Sequence, residues 1–403
     1  MRIGLDLRWL QQTYRYSPRG AVGGVGTLTQ GLWLGLARAF PDVELVALID
    51  RGAVPQPLLD IIHAAPRHQV ARVGLSGIIS SLNSRGNYML VMRLLESELG
   101  LGMNLKRLKL DVFHVLDHTS PPRRAPFPTV VTVCDTIGVE KKRGTRTFRA
   151  SIGQALVRKH FLNFDRADII VPISRSTKDN LLHYFPRRGD NYPIILPGID
   201  LGPFEQPALR EDDLRRRFCL DGGYFMHVGV VFERKNPQGL IRAMRRVIET
   251  CTKECCLVCI GPYQTHPEVH DRVVELTREC GIENHVRILG DVTSEELASL
   301  YRYALGLVFP SFAEGFGLPA LECLASGTPC VVSKTTSLPE VVGDLGILVD
   351  PYSDKEIADG MCRLLNDETH RAKVKEQGPL WARRFSVEAM AVSYMELYQS
   401  LTQ

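Results

Sequence analysis

The chain has 403 residues, of which 44% are hydrophobic and 23% charged, with a formal net charge of +4. This composition is that of an ordinary globular protein and excludes a disordered or collagen-like chain. No run of about 18 apolar residues is present, which argues against a membrane-spanning helix, and the length exceeds what one core supports, so two domains of about 200 residues are expected.

The amino terminus, Met1-Arg-Ile-Gly-Leu-Asp6-Leu-Arg8, carries charges where a secretory signal needs an apolar stretch. It predicts a first strand and a chain that stays in the cytoplasm. Gly23-Gly24-Val-Gly26 follows, ahead of a helix expected from Thr27 to Phe40. Glycines there allow close backbone approach, and a helix start favours anions.

Apolar strand candidates then recur as Ile3–Leu7, Val43–Ile49, Val112–Val115, Val130–Val133, Ile169–Ile173 and Ile194–Leu196. A helix is expected over Thr177–Tyr184, with Ser174 as its cap. After a polar connector from Pro197 to Asp221 come Phe225–Val231, Cys256–Ile260, Val286–Leu289, Gly306–Phe309, Cys330–Val332 and Ile347–Val349. Short buried strands separated by helices predict an α/β protein with two doubly wound parallel sheets. Ligands in such sheets bind beyond the carboxyl ends of the strands.

Charge divides unevenly. Residues 1–200 hold 27 Lys and Arg against 16 Asp and Glu, a net of +11, and residues 201–403 carry the balancing −7. The basic half could meet anionic lipid or an anionic acceptor. Two segments concentrate this charge: Lys141 to Arg149, and Tyr88 to Leu110, where Leu, Met and Val alternate with Arg93, Lys106, Arg107 and Lys109. The second segment suits peripheral membrane contact or a helix packed on its own sheet with snorkelling cations. Nucleic acid is not expected, since no aromatic-basic interleaving is seen.

Ten cysteines in a chain of this kind do not read as a disulfide framework. Cys251, Cys255, Cys256 and Cys259 cluster, but strand alternation turns Cys256 and Cys259 to opposite faces, so burial is expected rather than zinc.

The most informative segment runs Phe309-Pro-Ser-Phe-Ala-Glu314-Gly-Phe-Gly317-Leu-Pro-Ala-Leu-Glu322. A strand end leads through a glycine turn into a helix that Pro319 suits at its first turn. Glu314 falls at the strand end and Glu322 about one turn into the helix. The amides of Gly315, Phe316, Gly317 and Leu318 at such a helix start suit a phosphate. Upstream, Gly229-Val-Val-Phe-Glu-Arg234-Lys235-Asn236-Pro237 places two cations at another strand-to-helix turn. Arginine offers a planar fork and lysine a mobile point charge, a pair suited to a pyrophosphate.

The segment from Glu314 to Glu322 resembles the Glu-x7-Glu signature of the retaining family 4 glycosyltransferases. The likeness continues through Ala325-Ser-Gly-Thr-Pro-Cys-Val-Val332, Leu338-Pro-Glu340-Val-Val-Gly343 and Gly346-Ile-Leu-Val-Asp-Pro351. The resemblance implies a GT-B fold, with two facing Rossmann-like domains and a deep cleft between them. It implies an acceptor domain at 1–200, rejoined by a terminal helix at about 386–403, and a nucleotide-sugar domain at 201–385.

The same resemblance implies that Glu314 meets the donor sugar, Glu322 the ribose, and Lys235 and Arg234 the diphosphate. The nucleotide base would lie near Gly261 and Leu289, and Gly23 and Gly24 would face donor phosphate. The expected activity is metal-independent, front-face transfer of a hexose to a glycan or lipid-linked acceptor without a cofactor. GDP-mannose is the favoured donor, ahead of UDP-hexoses.

Two departures from the family pattern stand out. Val230 occupies the place of a frequent arginine, and Cys134-Asp135 replaces the usual His-Asp. A thiol cannot reproduce the donor capacity of imidazole, so His118 or His114 could supply it, beside Asp135. Two alternatives follow: a sugar-nucleotide epimerase, or an inactive sugar-nucleotide-binding subunit.

Overall fold

The computed structural model describes residues 1–16, 23–73, 101–116, 121–136, 159, 162–186, 192–206, 208–220, 222–251 and 253–403. The chain divides into two units, one built from 1–18, 24–198 and 387–403, the other mainly from 199–386.

The first unit contains a six-stranded sheet with the order β3-β2-β1-β4-β5-β6. Its strands are β1 (Arg2–Asp6), β2 (Glu44–Asp50), β3 (His68–Val73), β4 (Val112–Leu116), β5 (Thr129–Val133) and β6 (Ile169–Pro172). Every pairing is parallel. The residues of β4 and β5 are all buried, as helices on both faces of a parallel sheet require.

The helices include α1 (Arg8–Tyr16), α2 (Gly23–Ala39), α3 (Gln56–His63), α4 (Leu101–Lys106) and α5 (Arg175–Tyr184). Ser174 caps α5, its hydroxyl accepting from the Thr177 amide at 3.0 Å, as the sequence predicts. Helix α2 begins at Gly23 rather than Thr27, so the glycine motif forms its first turn instead of preceding it.

Two strand expectations need correction. Ile194–Leu196 forms no ladder; it lies between Pro193 and Pro197, which lack amide donors. The sixth strand is instead β3, an edge strand whose first three residues are exposed and whose apolar signal is therefore weak.

The second unit repeats the plan with the order β12-β11-β10-β7-β8-β9. Its strands are β7 (Gly223–Val228), β8 (Cys255–Ile260), β9 (Val286–Leu289), β10 (Gly306–Phe309), β11 (Cys330–Ser333) and β12 (Gly346–Val349), again all parallel. All six match expected strands. The expected connector is folded, with α6 (Gly202–Glu205) and α7 (Glu211–Phe218). It is tied to α10 (Ser294–Tyr303), where Ser299 accepts from the Leu209 amide at 3.1 Å and Arg302 donates to Phe204 O at 2.8 Å. Each unit is thus a doubly wound Rossmann-like domain.

The remaining helices of this unit are α8 (Pro237–Thr250), α9 (Pro267–Glu279), α11 (Leu318–Ala325), α12 (Leu338–Val342), α13 (Asp354–Asn366) and α14 (Glu368–Ala382). Its sheet reverses winding direction between β7 and β10. Strand order therefore nominates the carboxyl ends of β7 and β10 as the ligand position.

The last helix, α15 (Val387–Thr402), packs in the first unit. A Cβ on Gly35 of α2 would run into the Val387 carbonyl, so glycine is what lets α2 and α15 meet backbone to backbone. A buried polar network fastens α15 to the sheet. Tyr394 OH and Thr132 Oγ1 are 2.6 Å apart, Thr132 Oγ1 and His114 Nε2 2.7 Å, and His114 Nδ1 and Tyr398 OH 2.6 Å. Burial drives the His114 pKa down to about 3, so the imidazole is neutral and both nitrogens are engaged. His114 is thus a packing residue of the first core and cannot replace the histidine missing at Cys134. Thr132→Val, which strips partners from both His114 and Tyr394, should lower stability by about 2 kcal/mol in urea titrations. Tyr394→Phe, which leaves the His114 bond intact, should cost less.

Candidate active site

Three loops meet at the reversal point of the second sheet. After β7, Gly229 adopts φ +96° and a Cβ there would come within 3.1 Å of Lys235 Nζ, so a bare backbone makes room for the ammonium. The chain then forms a 3-10 turn over Glu233–Lys235. Asn236 ends that turn at φ 59° and caps α8, its Oδ1 accepting from the Gly239 amide at 3.0 Å. Its Nδ2 donates to Pro310 O at 3.3 Å and to Pro351 O at 2.5 Å, which joins the loops after β7, β10 and β12. One asparagine thereby sets the position of the two cations before it.

Those cations converge on Glu314. Arg234 Nη1 lies 2.6 Å from Glu314 Oε2 and also donates to Ala313 O at 2.8 Å. Lys235 Nζ lies 3.5 Å from Glu314 Oε1, and 4.2 Å from the centroid of the Phe309 ring. The Glu314 and Lys235 side chains are only 10% and 11% exposed, whereas Arg234 is 34% exposed. Burial pushes the Glu314 pKa up, but the charges of Lys235 and Arg234 outweigh it and hold the carboxyl below its ordinary value. Burial likewise lowers the Lys235 pKa, opposed by Glu314. Val230 is buried in the core and offers no cation to the site.

Glu322 sits on α11 and accepts from Tyr301 OH at 3.0 Å. Burial drives its pKa up to about 7, with the Tyr301 bond and Lys235 acting in the opposite direction. The two acidic groups therefore behave differently: Glu314 stays ionised, while Glu322 is poised near neutrality.

Gly317, at φ 105°, occupies the cap position before α11 and offers no side-chain cap. A Cβ on Gly317 would also strike Leu338, so glycine is demanded both by conformation and by packing. Phe316 is buried and lies 6.0 Å from Phe385, centroid to centroid. Gly315 and Leu318 flank this turn.

The Ser333–Ser337 segment, which the sequence did not single out, clamps the same turn. Ser333 donates to Ser311 O at 2.6 Å, and Thr335 to Phe312 O at 3.3 Å. Thr336, itself at φ 55°, accepts from the Glu314 amide at 3.2 Å. Ser337 Oγ reaches Glu314 O at 3.1 Å and Phe316 O at 2.8 Å. A second omission is His227, which is fully buried on β7 and stacked on Phe309 at 5.3 Å. Its Nδ1 donates to Val308 O at 2.9 Å, and burial with the nearby Lys235 charge lowers its pKa to about 3. It is a neutral ring beneath the charged group. The local signal for it was only a polar residue inside an apolar strand.

Gly261 follows β8, Leu289 ends β9, and the Gly261 amide donates to Leu289 O at 3.3 Å. A Cβ on Gly261 would meet the Val230 amide at 2.9 Å, so this glycine also serves backbone packing. Asp135, just past β5, and Gly24 belong to the first unit, and Gly23 opens α2 beside it. His118 lies outside the described residues, as do Lys141 to Arg149 and most of Tyr88 to Leu110. The structure thus gathers Arg234, Lys235, Glu314 and Glu322 in one place.

Residues 215–381 match the family described as Glycosyl transferases group 1. A D-inositol 3-phosphate glycosyltransferase of Corynebacterium kroppenstedtii is 31% identical over 242 residues, covering 58% of this chain and 54% of its own length. An O-antigen chain mannosyltransferase B of Escherichia coli is 36% identical over 247 residues, covering 59% of this chain and 62% of its own. The chain therefore matches between half and two thirds of the length of these curated relatives. A sucrose-phosphate synthase from Thermosynechococcus elongatus superposes with a TM-score of 0.74 at 20% identity, over 100% of this chain and 99% of that one. HepE of Anabaena, solved in complex with UDP-glucose, gives 0.67 at 15% identity over 100% of both chains. These two structures establish a shared GT-B fold.

The raised Glu322 pKa has a measurable consequence in the second domain. The folded state binds this proton more tightly than the unfolded chain, so Glu322 lowers stability as pH rises from about 4.5 towards 7. Glu322→Gln should remove that slope and add on the order of 1 kcal/mol at ~pH 8, read by denaturant midpoints. A variant no more stable than wild type at alkaline pH would show that the carboxyl is solvated.

Proposed function

We propose that the chain transfers a hexose from a nucleotide-diphosphate sugar to a glycan or lipid-linked acceptor, with retention of anomeric configuration. The observation that carries this reading is the convergence of Arg234 and Lys235 on Glu314 at the reversal point of the second sheet. Two cations meet the one Glu314 carboxylate, so the site holds surplus positive charge where a doubly wound sheet receives its ligand.

In this reading the diphosphate engages Arg234 from its exposed side and draws on Lys235 and the first-turn amides of α11. Breaking the anomeric C–O bond moves negative charge onto the leaving phosphate, and fixed donors aimed at that charge lower the barrier. The leaving oxygen takes the acceptor proton on the same face, so no covalent glycosyl intermediate forms. Glu314 orients sugar hydroxyls and supports the oxocarbenium-like centre, while Glu322 accepts from the ribose. Cations take the place of a divalent ion. The first domain holds the acceptor, and Asp135 stands on its side of the reaction.

GDP-mannose is the favoured donor, supported by the likeness to a mannosyltransferase. UDP-hexoses come next, supported by the UDP-glucose-bound neighbour. The inactive-subunit reading retains one support, Cys134 in place of histidine; binding of donor without turnover across acceptors would favour it. Conversion of donor alone would point to the epimerase.

Lys235→Ala and Glu314→Ala should each lower kcat by at least about 100-fold in a donor-consumption assay. Near-normal transfer by both variants would remove the assignment. In thermal unfolding, GDP-mannose at about 100 times its Kd should add roughly 2.7 kcal/mol of apparent stability, and UDP-glucose less at equal concentration. A larger shift with UDP-glucose would reverse the donor order.

A further inference from the structure

All ten cysteines are reduced thiols, and most sit in the core or on strands. Cys251 and Cys362 differ. Cys251 follows the last residue of α8, and Cys362 lies on α13, both only half-buried. The two sulfurs share a neighbour: Thr250 Oγ1 lies 3.9 Å from Cys251 Sγ and 3.8 Å from Cys362 Sγ. Contacts on both sides hold the two helices in register here. Arg246 pairs with Asp354 at 2.9 Å, and Lys253 Nζ donates to Leu365 O at 2.8 Å. The two thiols thus sit on the same Thr250 hydroxyl between two fixed points rather than by chance of a loose loop.

We infer that Cys251 and Cys362 form a modification site, a dithiol that a low-molecular-weight disulfide of the glutathione class converts to an intramolecular disulfide. The chemistry has an order. Burial first, and the neighbouring Cys251 in the same direction, raise the Cys362 pKa to about 11, so this thiol keeps its proton. Cys251 attacks the small disulfide first as its thiolate, forming one protein–glutathione S–S bond and releasing one small thiolate. Cys362 then gives its proton to the released thiolate and attacks the Cys251 sulfur, expelling the second small thiol. Two protein S–H groups are oxidised, and one small disulfide is reduced to two thiols.

The placement also has a structural consequence. Asn236, directly after Arg234 and Lys235, caps α8 and already bonds to Pro351 just before α13. The disulfide would tie the far ends of the same two helices, bracing the candidate site from behind.

The test uses the full chain treated with oxidised glutathione, then alkylated and mapped by mass spectrometry. We expect a peptide pair linked through Cys251 and Cys362, abolished by dithiothreitol. Cys362→Ser should trap a glutathione adduct on Cys251, whereas Cys251→Ser should leave Cys362 unmodified. The oxidised wild type should unfold at a higher temperature than the reduced one, a shift absent in both variants. A bridge between Cys251 and Cys255, an adduct on Cys251 that persists in the wild type, or preferential modification of Cys362 would overturn the inference.

Discussion

The second domain depends on the buried pairing of Glu314 with Lys235. Taking a carboxylate and an ammonium out of water costs several kcal/mol per ion, and only close, well-supported partners repay it. Nearly every local feature of the site serves that pairing. Gly229 clears space for the ammonium. Asn236, in a left-handed conformation, fixes the turn that presents it. The hydroxyls of Thr336 and Ser337 hold the Glu314 backbone from the other side. Loss of one partner leaves a stranded charge, so the loops after β7, β10 and β11 are constrained together.

This arrangement also explains why the two acids, eight residues apart, are not equivalent. Glu314 has two cations beside it and remains charged despite burial. Glu322 has a phenol and only a distant share of Lys235, so burial dominates. One motif thus yields a permanent anion and a titratable acceptor. Their separation follows from the strand end and the helix turn on which they stand, together with the local electrostatics.

Much of this was legible in the sequence because it rests on local chemistry. The strands of the second sheet are short, mostly apolar runs, fully buried in β10 and β11, and the glycines at 229 and 317 mark backbone that side chains cannot occupy. The cations at 234 and 235 and the acids at 314 and 322 follow strand ends, where ligands gather. What escaped was non-local. The hydroxyls of Ser333 to Ser337 read as an ordinary polar loop until β11 is placed beside β10. His227 looked like a strand residue because its significance lies in Val308, Phe309 and Lys235. Edge strand β3 alternates weakly because one face is wet. The proline-flanked 194–196 run is apolar but cannot join a ladder.

The two domains bury polar groups on opposite terms, and the difference indicates where chemistry belongs. In the first, His114, Thr132, Tyr394 and Tyr398 form a neutral chain in which each member has a protein partner. Such a network specifies packing and leaves nothing over for a ligand. In the second, Arg234 and Lys235 face one carboxylate whose pKa they hold down, and Arg234 is still a third exposed. A fold gains nothing in stability from surplus positive charge beside a carboxyl group poised near neutrality. An arriving anion does gain from it, and that imbalance is the physical reason for assigning the diphosphate to the reversal point of the second sheet rather than to the equally well-formed first.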